Sequence, residues 1–448
     1  MGNNLGKMNL DKPSKITIQP ENFPEKLVWY GMIWTYGFYL IGATYIVGSV
    51  LGVILGFCLA LQWWLQTEET PPEDRISVPL ITWVWIIGML VMEVALIVGH
   101  LNYDLGTGML IKSTIGWAKG WAGLALYPLA GCLKIRPEII YRAVCVICFH
   151  TLLISPLLII APIIHLPEIL YVSPLKAVGG PGNTFFDVSL YEIDFDGSIR
   201  QRLFTPWGPA LGFVANVYFI LALKEKNKKW RLFGIIGSIF MANICKSRLA
   251  LIAIILTPIV TFFCSRFSRP IILILMGIGS TIAGILSPVI FMALDTFKRK
   301  FTEARADSSR VRRVLKEIAG YRWRTEAPIW GHGVVEPGPH VVEYMPIGSH
   351  HTWYGLLFMR GIVGFVALAV PMILSLLVLV IKAQTEEVAR AGLGILFILF
   401  LYTFGENLDI LAYLYWPGLI IMGIAFKNKH KQQLTHSYPL IGIDESSG

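Results

Sequence analysis

The chain has 448 residues, 55% of them hydrophobic and only 15% charged, and its mean hydropathy is +0.61. Many apolar runs of about 18 residues or more exclude a set of ordinary soluble domains and indicate a polytopic helical membrane protein. The net charge of +9 needs no nucleic-acid partner, because cytoplasmic loop ends of membrane proteins are normally rich in Lys and Arg.

Residues 1–26 form a polar tail with Lys7, Lys12, Lys15 and Lys26. No cleavable signal is evident, since the first apolar run is too long for a signal core. The run at about 27–65 is too long for one crossing, which needs about 20 residues. It reads as two tightly joined helices or one long tilted one. An acidic loop at 66–75 follows, then apolar segments at about 79–100, 116–133 and 140–164, with a basic linker at 134–142. A polar interval at 165–206 holds Gly179, Gly180 and Gly182 as turn formers, and Asp194, Asp196, Arg200 and Arg202. Helices are expected at about 208–223, 232–245, 249–264, 270–293, 353–381, 391–405 and 409–425. The fold class is therefore all-α: a membrane bundle of about 11–12 spans over 27–425, with a polar tail at 426–448. A largely helical outer subdomain, mainly 294–350, should cap it.

The six cysteines (Cys58, Cys132, Cys145, Cys148, Cys245 and Cys264) all lie in or at the ends of apolar segments, so no disulfide framework is expected. Cys145 and Cys148 form a C-x-x-C with His150 close by. Their place in an apolar helix pattern makes them buried structural thiols rather than metal ligands.

Basic turns at 224–231, 266–269 and 382–390 and the basic C-terminal tail mark the cytoplasmic side. Parity then puts 165–206, the turn 246–248, 294–350 and the Glu406–Asn407 turn outside. The interval 294–350 carries ten Lys/Arg against seven Asp/Glu, and three of the nine histidines, His332, His340 and His350, with His351 directly after them. An excess of Arg on the outer side suggests something anionic to hold. Within it, Val311, Val314, Leu315 and Ile318 recur at i, i+3, i+4 and i+7, one apolar face of a helix. Asp307, Ser308 or Ser309 can cap that helix and Gly320 can end it. Arg310 and Arg313 border the face on one side, Arg305, Arg312 and Lys316 on the other. The plain alternative is a loop helix with solvated charges.

Arg suits phosphate because its planar fork makes two parallel hydrogen bonds and stays charged. Candidate cations are Arg200 and Arg202, Arg248, Arg310 and Arg313, and Arg322 and Arg324. Arg248 stands out, because an ionisable residue between two apolar segments is a functional candidate by default; its bland reading is snorkelling to the headgroups. His350 has a pKa near working pH when unperturbed and can serve as a base, or it can simply bond backbone at a helix start. Trp207, Trp323, Trp330, Trp353 and Tyr354 can stack on sugar rings or anchor the chain at the interface.

A basic Arg-containing helix, a Pro-x-x-Gly-x-Gly turn (Pro328, Gly331, Gly333), then His350 with Gly361 and Gly364 downstream resembles the bacterial O-antigen ligase and polymerase superfamily. That family usually shows His-Asn, an aromatic and then Gly-x-x-Gly; here His351 stands in place of the Asn, with Trp353 and Tyr354 nearby. The resemblance covers roughly 200–425. It implies a glycosyltransferase that moves a glycan from an undecaprenyl-pyrophosphate carrier to an acceptor hydroxyl on a glycan or lipid, with inversion. Arg248, Arg310, Arg313, Arg324 and Arg202 would hold the pyrophosphate and His350 would act as base. Ser247, His351 and Tyr354 would support them. The implied location is the bacterial plasma membrane among its lipids, with the site extracytoplasmic. No H-E-x-x-H, P-loop or G-x-G-x-x-G after a strand occurs, and Asp194-x-Asp196 is the only D-x-D, so no metal, cofactor, nucleotide or nucleic acid is expected. A polymerase of the same superfamily shares every motif, and a solute transporter is the rival of another class.

The orientation is open to test. Cysteines introduced at Gly197 and Glu336 should react with an impermeant thiol reagent in intact cells, and those at Lys226 and His430 should not. Protection of the first pair would invalidate the outward-facing arrangement.

Overall fold

The computed structural model describes residues 18–71, 75–194, 197–303 and 306–427. The expected polar tails, Asp196 and Arg305 therefore lie largely or wholly outside the described residues, as do the side chains of Asp307, Ser308 and Ser309. The chain is about 70% helix and 3% strand.

In chain order the elements are α1 (Phe23–Ile33), α2 (Thr35–Leu40), α3 (Thr44–Trp64), α4 (Leu80–Asn102), α5 (Thr107–Lys119), α6 (Gly123–Ala130) and α7 (Pro137–Ile160). Then come β1 (Ile169–Val172), β2 (Asp187–Ser189), β3 (Glu192–Ile193) and β4 (Ile199–Arg200). They are followed by α8 (Gly208–Ala222), α9 (Lys228–Ile244), α10 (Arg248–Cys264), α11 (Pro270–Ile285), α12 (Ser287–Glu303) and α13 (Ala306–Glu326). The last are α14 (Thr352–Ala383), α15 (Glu387–Tyr402) and α16 (Leu408–Phe426). The elements fall into two compact units, Met1–Leu51 with Lys134–Ile254, and Gly52–Leu133 with Ile255–Gly448.

Among the described residues α3, α4, α7, α14 and α16 are long and apolar enough to cross a membrane, and α11 with α12 makes a sixth if the pair, bent by 77°, is one span. The expected count of about 11–12 is larger because several expected segments form shorter helices, among them the apolar α8 and α10, and other apolar runs do not stay straight. The run at 27–65 breaks near Trp34 and again at Gly42, whose φ is +67°. The run at 116–133 breaks at Gly120, between α5 and α6.

In the first unit α7 and α9 pack backbone to side chain. A Cβ on Gly234 would fall 2.6 Å from the Cys145 sulfur, and one on Gly237 would fall 2.6 Å from Cys148 Cβ. The C-x-x-C residues are therefore packing positions, both buried. Arg142 of α7 forks onto Glu225 in a buried pair at 2.8 Å, fixing the turn between α8 and α9. The interval 165–206 folds into two short antiparallel pairs, β1 with β2 and β3 with β4.

In the second unit α14 lies against α4, and a Cβ on Gly88 would come within 2.4 Å of the Ala367 carbonyl oxygen. Only glycine allows that approach. The helix α14 is broken at Gly361, with φ +61° and ψ −160°, a region open essentially to glycine alone. The chain 328–333 lies into the break. His332 and Gly333 amides donate to the carbonyls of Phe358 (2.9 Å) and Met359 (3.0 Å), and Ile362 and Val363 amides donate to those of Pro328 (2.9 Å) and Ile329 (3.2 Å). The Pro328-Gly331-Gly333 turn and the Gly361-Gly364 pair thus meet.

Two details of the interval 294–350 differ from expectation. The helix α13 runs through Gly320 to Glu326, because Gly320 is a contact point: a Cβ there would lie 3.0 Å from the Tyr354 ring. Beyond Glu326 the interval is not helical, apart from one 3-10 turn at His340–Val342; a Pro337–Pro346 bridge ties its middle.

Gly361→Ala places a side chain in a glycine-only backbone region and 2.2 Å from the Ile329 carbonyl oxygen. It should destabilise the fold by at least about 1–3 kcal/mol. Gly277→Ala, whose Cβ meets nothing within 4 Å, should be neutral or gain up to about 1 kcal/mol. Thermal unfolding in detergent of the two variants checks the contrast.

Candidate functional site

The site is built by three segments of the second unit: α13, the loop before α14, and the turn between α15 and α16. The apolar face of α13 lays Val311 and Leu315 against Val342, and Ala319 against Ile347, Phe358 and Met359. That packing is the face expected from the i, i+3, i+4 pattern, and it leaves Arg312 and Lys316 on one border. The start of α14 is stitched to the α15–α16 turn. The Thr352 hydroxyl donates to the Glu406 carbonyl (2.7 Å) and accepts from the Leu408 amide (3.2 Å). The Thr352 amide donates to the Thr403 carbonyl (2.9 Å), the Trp353 indole to the Thr403 hydroxyl (2.8 Å), and the His351 amide to the Asn407 side-chain oxygen (3.3 Å). The N-termini of α14 and α16 therefore lie side by side. Neither Ncap residue, His351 or Asn407, caps its helix with its own side chain.

His350 sits in this corner with φ +60°, a left-handed conformation uncommon outside glycine. It is half-buried, and among the described residues its ring has no hydrogen-bond partner. Burial, reinforced by the charge of Arg312, lowers its pKa to about 4. His351 is lowered to about 4 as well, first by burial and then by Lys316. Its ring meets the rings of Tyr354 (4.9 Å) and Phe404 (5.7 Å) edge to face, and its buried Nδ1 has no partner among the described residues, nor has the Ser349 hydroxyl. Lys316 lies over the Tyr354 ring at 5.3 Å. Two neutral imidazoles, two cations and the N-terminus of α14 make a local field that favours an anion, whereas the first turn of α16 is already met by the Thr352 hydroxyl and carries Asp409. A neutral imidazole in such a field can take a proton once an anion arrives to offset the cations.

The expected site residues divide between the units. In the second, Arg310, Arg313 and Arg324 are exposed on α13, and Arg324 Nε donates to the Gly320 carbonyl at 3.0 Å. Arg322 is engaged by Glu326 (2.8 Å) and Glu336 (2.5 Å) and lies over the Phe358 ring. His332 is buried between Phe358 and Tyr103, with both ring nitrogens bonded, to the Phe358 carbonyl and to Glu326. In the first unit the Gln201 amide donates to the Ile244 carbonyl (3.0 Å), which brings the segment with Arg200 and Arg202 beside the turn with Ser247 and Arg248. There Arg200 pairs with Glu192 and Asp194, and Arg202 is buried on Asp187 (2.7 Å) and the Pro206 carbonyl (3.0 Å). With its fork so engaged, Arg202 holds the loop and is not disposed toward a phosphate. Ser247 is buried and Arg248 half-buried.

Sequence reading treated Arg312 and Lys316 only as a helix border and Asn407 only as part of a turn. It also missed Glu93, Arg360 and Asp409. Arg360 is buried on α14, donates Nη1 to the Gly333 carbonyl at 2.6 Å, leaves Nε unpartnered, and feels the charges of Glu93 and Asp409. Glu93 accepts from the Thr114 hydroxyl at 2.7 Å through one oxygen and buries the other without a partner. The available signal was simple: each is an ionisable residue inside an apolar run. Among the described residues no three His, Cys, Asp or Glu side chains gather as a metal site. No known protein-family model matches the chain, and no curated protein matches it.

The two depressed histidines set a pH dependence. Between pH 6.5, their ordinary value, and about 4, the unfolded chain takes up protons that the folded chain does not. Stability should therefore be full above pH 6.5 and fall as the pH drops toward 4. His350→Gln should flatten that fall, and Arg312→Gln should move the His350 titration to higher pH. Thermal unfolding against pH, with NMR of the imidazole protons, measures both.

Proposed function

We propose that the chain is a metal-independent, inverting glycosyltransferase of the O-antigen ligase and polymerase type. It would sit in a bacterial plasma membrane with its site on the extracytoplasmic face, moving a glycan from undecaprenyl pyrophosphate to an acceptor hydroxyl. The observation that carries this reading is His350: without a hydrogen-bond partner among the described residues, held in a left-handed conformation, and beside the charge of Arg312 at the start of α14. A second support is that the glycines behind the resemblance, Gly331 and Gly333 with Gly361 and Gly364, meet in one packing unit below that loop.

In the proposed reaction the donor pyrophosphate lies in the field of Arg312, Lys316 and the N-terminus of α14. Its negative charge raises the basicity of His350, which burial and Arg312 suppress. The ring takes the proton of the acceptor hydroxyl as that oxygen attacks the anomeric carbon. The bond to the pyrophosphate oxygen breaks with its electron pair, and undecaprenyl pyrophosphate leaves. One displacement inverts the anomeric centre. His351 and Tyr354 shape the pocket wall.

His350→Ala should lower the transfer rate by about 10²–10⁴ while the lipid donor still binds. His351→Asn, which restores the usual family residue, should stay active. The checks are transfer rate and donor binding for the purified variants beside glycan analysis of a deletion strain. Full chains left on the carrier identify a ligase and unpolymerised single repeats a polymerase. Wild-type rates in His350→Ala would remove His350 as base, leaving Glu343 or the buried Glu406, since Glu336 is engaged by Arg322. Solute uptake without glycan transfer would replace the enzyme reading with a carrier.

A further inference from the structure

Two turns of the second unit are clasped together: 265–269, between α10 and α11, and 384–386, between α14 and α15. Gln384 is the clasp. Its side-chain amide donates to the Cys264 carbonyl (2.8 Å), and its side-chain oxygen accepts from the Ser268 hydroxyl (3.1 Å). Arg390 of α15 fixes the second turn, donating Nε to the Ala383 carbonyl (2.9 Å) and Nη2 to the Gln384 carbonyl (3.3 Å).

The clasp gathers Arg266, Arg269 and Arg390 within one another's fields. Burial holds Arg266 below its ordinary pKa, and the charges of Arg390 and Arg269 lower it further. Glu387 opposes them, but its side chain is exposed and reaches Arg390 only at 3.6 Å. Three guanidinium groups against one carboxylate leave two positive charges uncompensated. Arg142, Arg200, Arg202 and Arg322 are matched by carboxylates, whereas the Arg266 fork rests on the Phe262 ring at 4.1 Å. Among the described residues the Arg266 and Arg269 guanidinium groups have no hydrogen-bond partner. Arg269 is also the N-cap residue of α11 and gives it no side-chain bond, so the positive end of that helix dipole adds to the same place.

Such a cluster calls for an anion with several oxygens, and a phosphate matches the guanidinium forks. The surroundings decide its source. Phe262, Phe267 and Ile271 are exposed beside the arginines, and aromatic side chains of this kind suit the membrane–water interface. A soluble phosphate gains nothing from them, whereas a phospholipid presents its phosphate to the arginines and its acyl chains to the apolar flank. We propose that the two clasped turns form a binding site for the phosphate of an acidic membrane phospholipid, held by Arg266 and Arg269 with Arg390 adding its charge. The site is separate from the His350 corner and does not depend on the proposed transfer reaction. On the orientation expected from charge, it faces the cytoplasmic leaflet, where acidic lipids concentrate.

The test uses the full chain in nanodiscs of phosphatidylcholine with graded fractions of phosphatidylglycerol, read by thermal unfolding. Phosphatidylglycerol should raise the unfolding midpoint saturably. The double variant Arg266→Gln, Arg269→Gln should need at least about tenfold more of it for the same shift. The double variant Arg266→Lys, Arg269→Lys should recover only part of the loss, because point charges replace planar forks. Lys229→Gln removes an exposed cation from a different basic turn and should stay within about twofold of the parent. A Gln double variant that also stays within about twofold overturns the proposal. So does an equal loss in Lys229→Gln, which is the behaviour of general surface electrostatics. Inorganic phosphate that reproduces the full shift in pure phosphatidylcholine discs overturns the lipid assignment. Unfolding of every variant in pure phosphatidylcholine supplies the baseline, so a change in fold stability is read apart from a change in lipid binding.

Discussion

The second unit depends on one break in one helix. An unbroken α14 would keep the amides of Ile362 and Val363 for its own carbonyls at positions 358 and 359. At Gly361 the backbone leaves the helical region, and those four groups become available to another segment. The chain 328–333 takes them, with two donors and two acceptors. Four such bonds contribute on the order of 2–6 kcal/mol together at the usual net value of each. That sum is comparable with the strain a non-glycine residue would bring at position 361, so the junction holds only with glycine there. Gly364 completes it by leaving room for the Arg360 stem, whose Cβ would otherwise lie 2.2 Å from a Cβ at 364.

From this junction the geometry of the corner around His350 follows. The turn fixes the end of α13 through the chain of contacts Glu336, Arg322, Glu326 and His332, which stacks on Phe358 just before the break. With α13 fixed at that end, its apolar face can set Arg312 and Lys316 beside the histidines. The other side of the corner is fixed independently by Thr352, bonded to both Glu406 and Leu408. His350 lies between these two restraints, and its left-handed backbone is the residual conformation the loop must adopt to satisfy both. Strain of this sort persists only where the surroundings over-determine it.

Much of the helical architecture was legible because long apolar runs and the 3.6-residue period are local properties. The runs behind α4, α7, α14 and α16, and the buried stripe of α13, needed no tertiary information. Breaks inside apolar runs were less legible. Gly42, Gly120 and the bend before Ser287 interrupt stretches whose hydropathy is continuous, and a glycine in such a run is as often a contact point as a stop. Gly320 shows the converse: it reads as a terminator, yet the helix passes through it because the Tyr354 ring needs the space. The strands β1 and β2 were invisible for another reason. They are four and three residues long and are held by Tyr39 and Ser173, whose partners lie far away in sequence.

The arginines mark the limit of what sequence alone can assign. Sequence shows where guanidinium groups are, whereas function depends on which of them lack a carboxylate, and that is decided by tertiary neighbours. Arg142, Arg200, Arg202 and Arg322 each sit within 3.0 Å of a glutamate or aspartate oxygen. Their forks are already matched, and exchanging such a partner for a phosphate would leave a buried or half-buried carboxylate uncompensated, which costs several kcal/mol. These residues hold loops and helices. Arg312 and Lys316 differ in that their charge acts on two histidines and an aromatic ring. A cation whose neighbours are neutral bases raises the local potential, and two such cations beside the N-terminus of α14 raise it further. An arriving anion therefore gains from every group in the corner at once, and its arrival changes the basicity of the imidazoles beside it. On the proposed function, binding and proton transfer at this corner would be coupled by electrostatics, with no conformational change required.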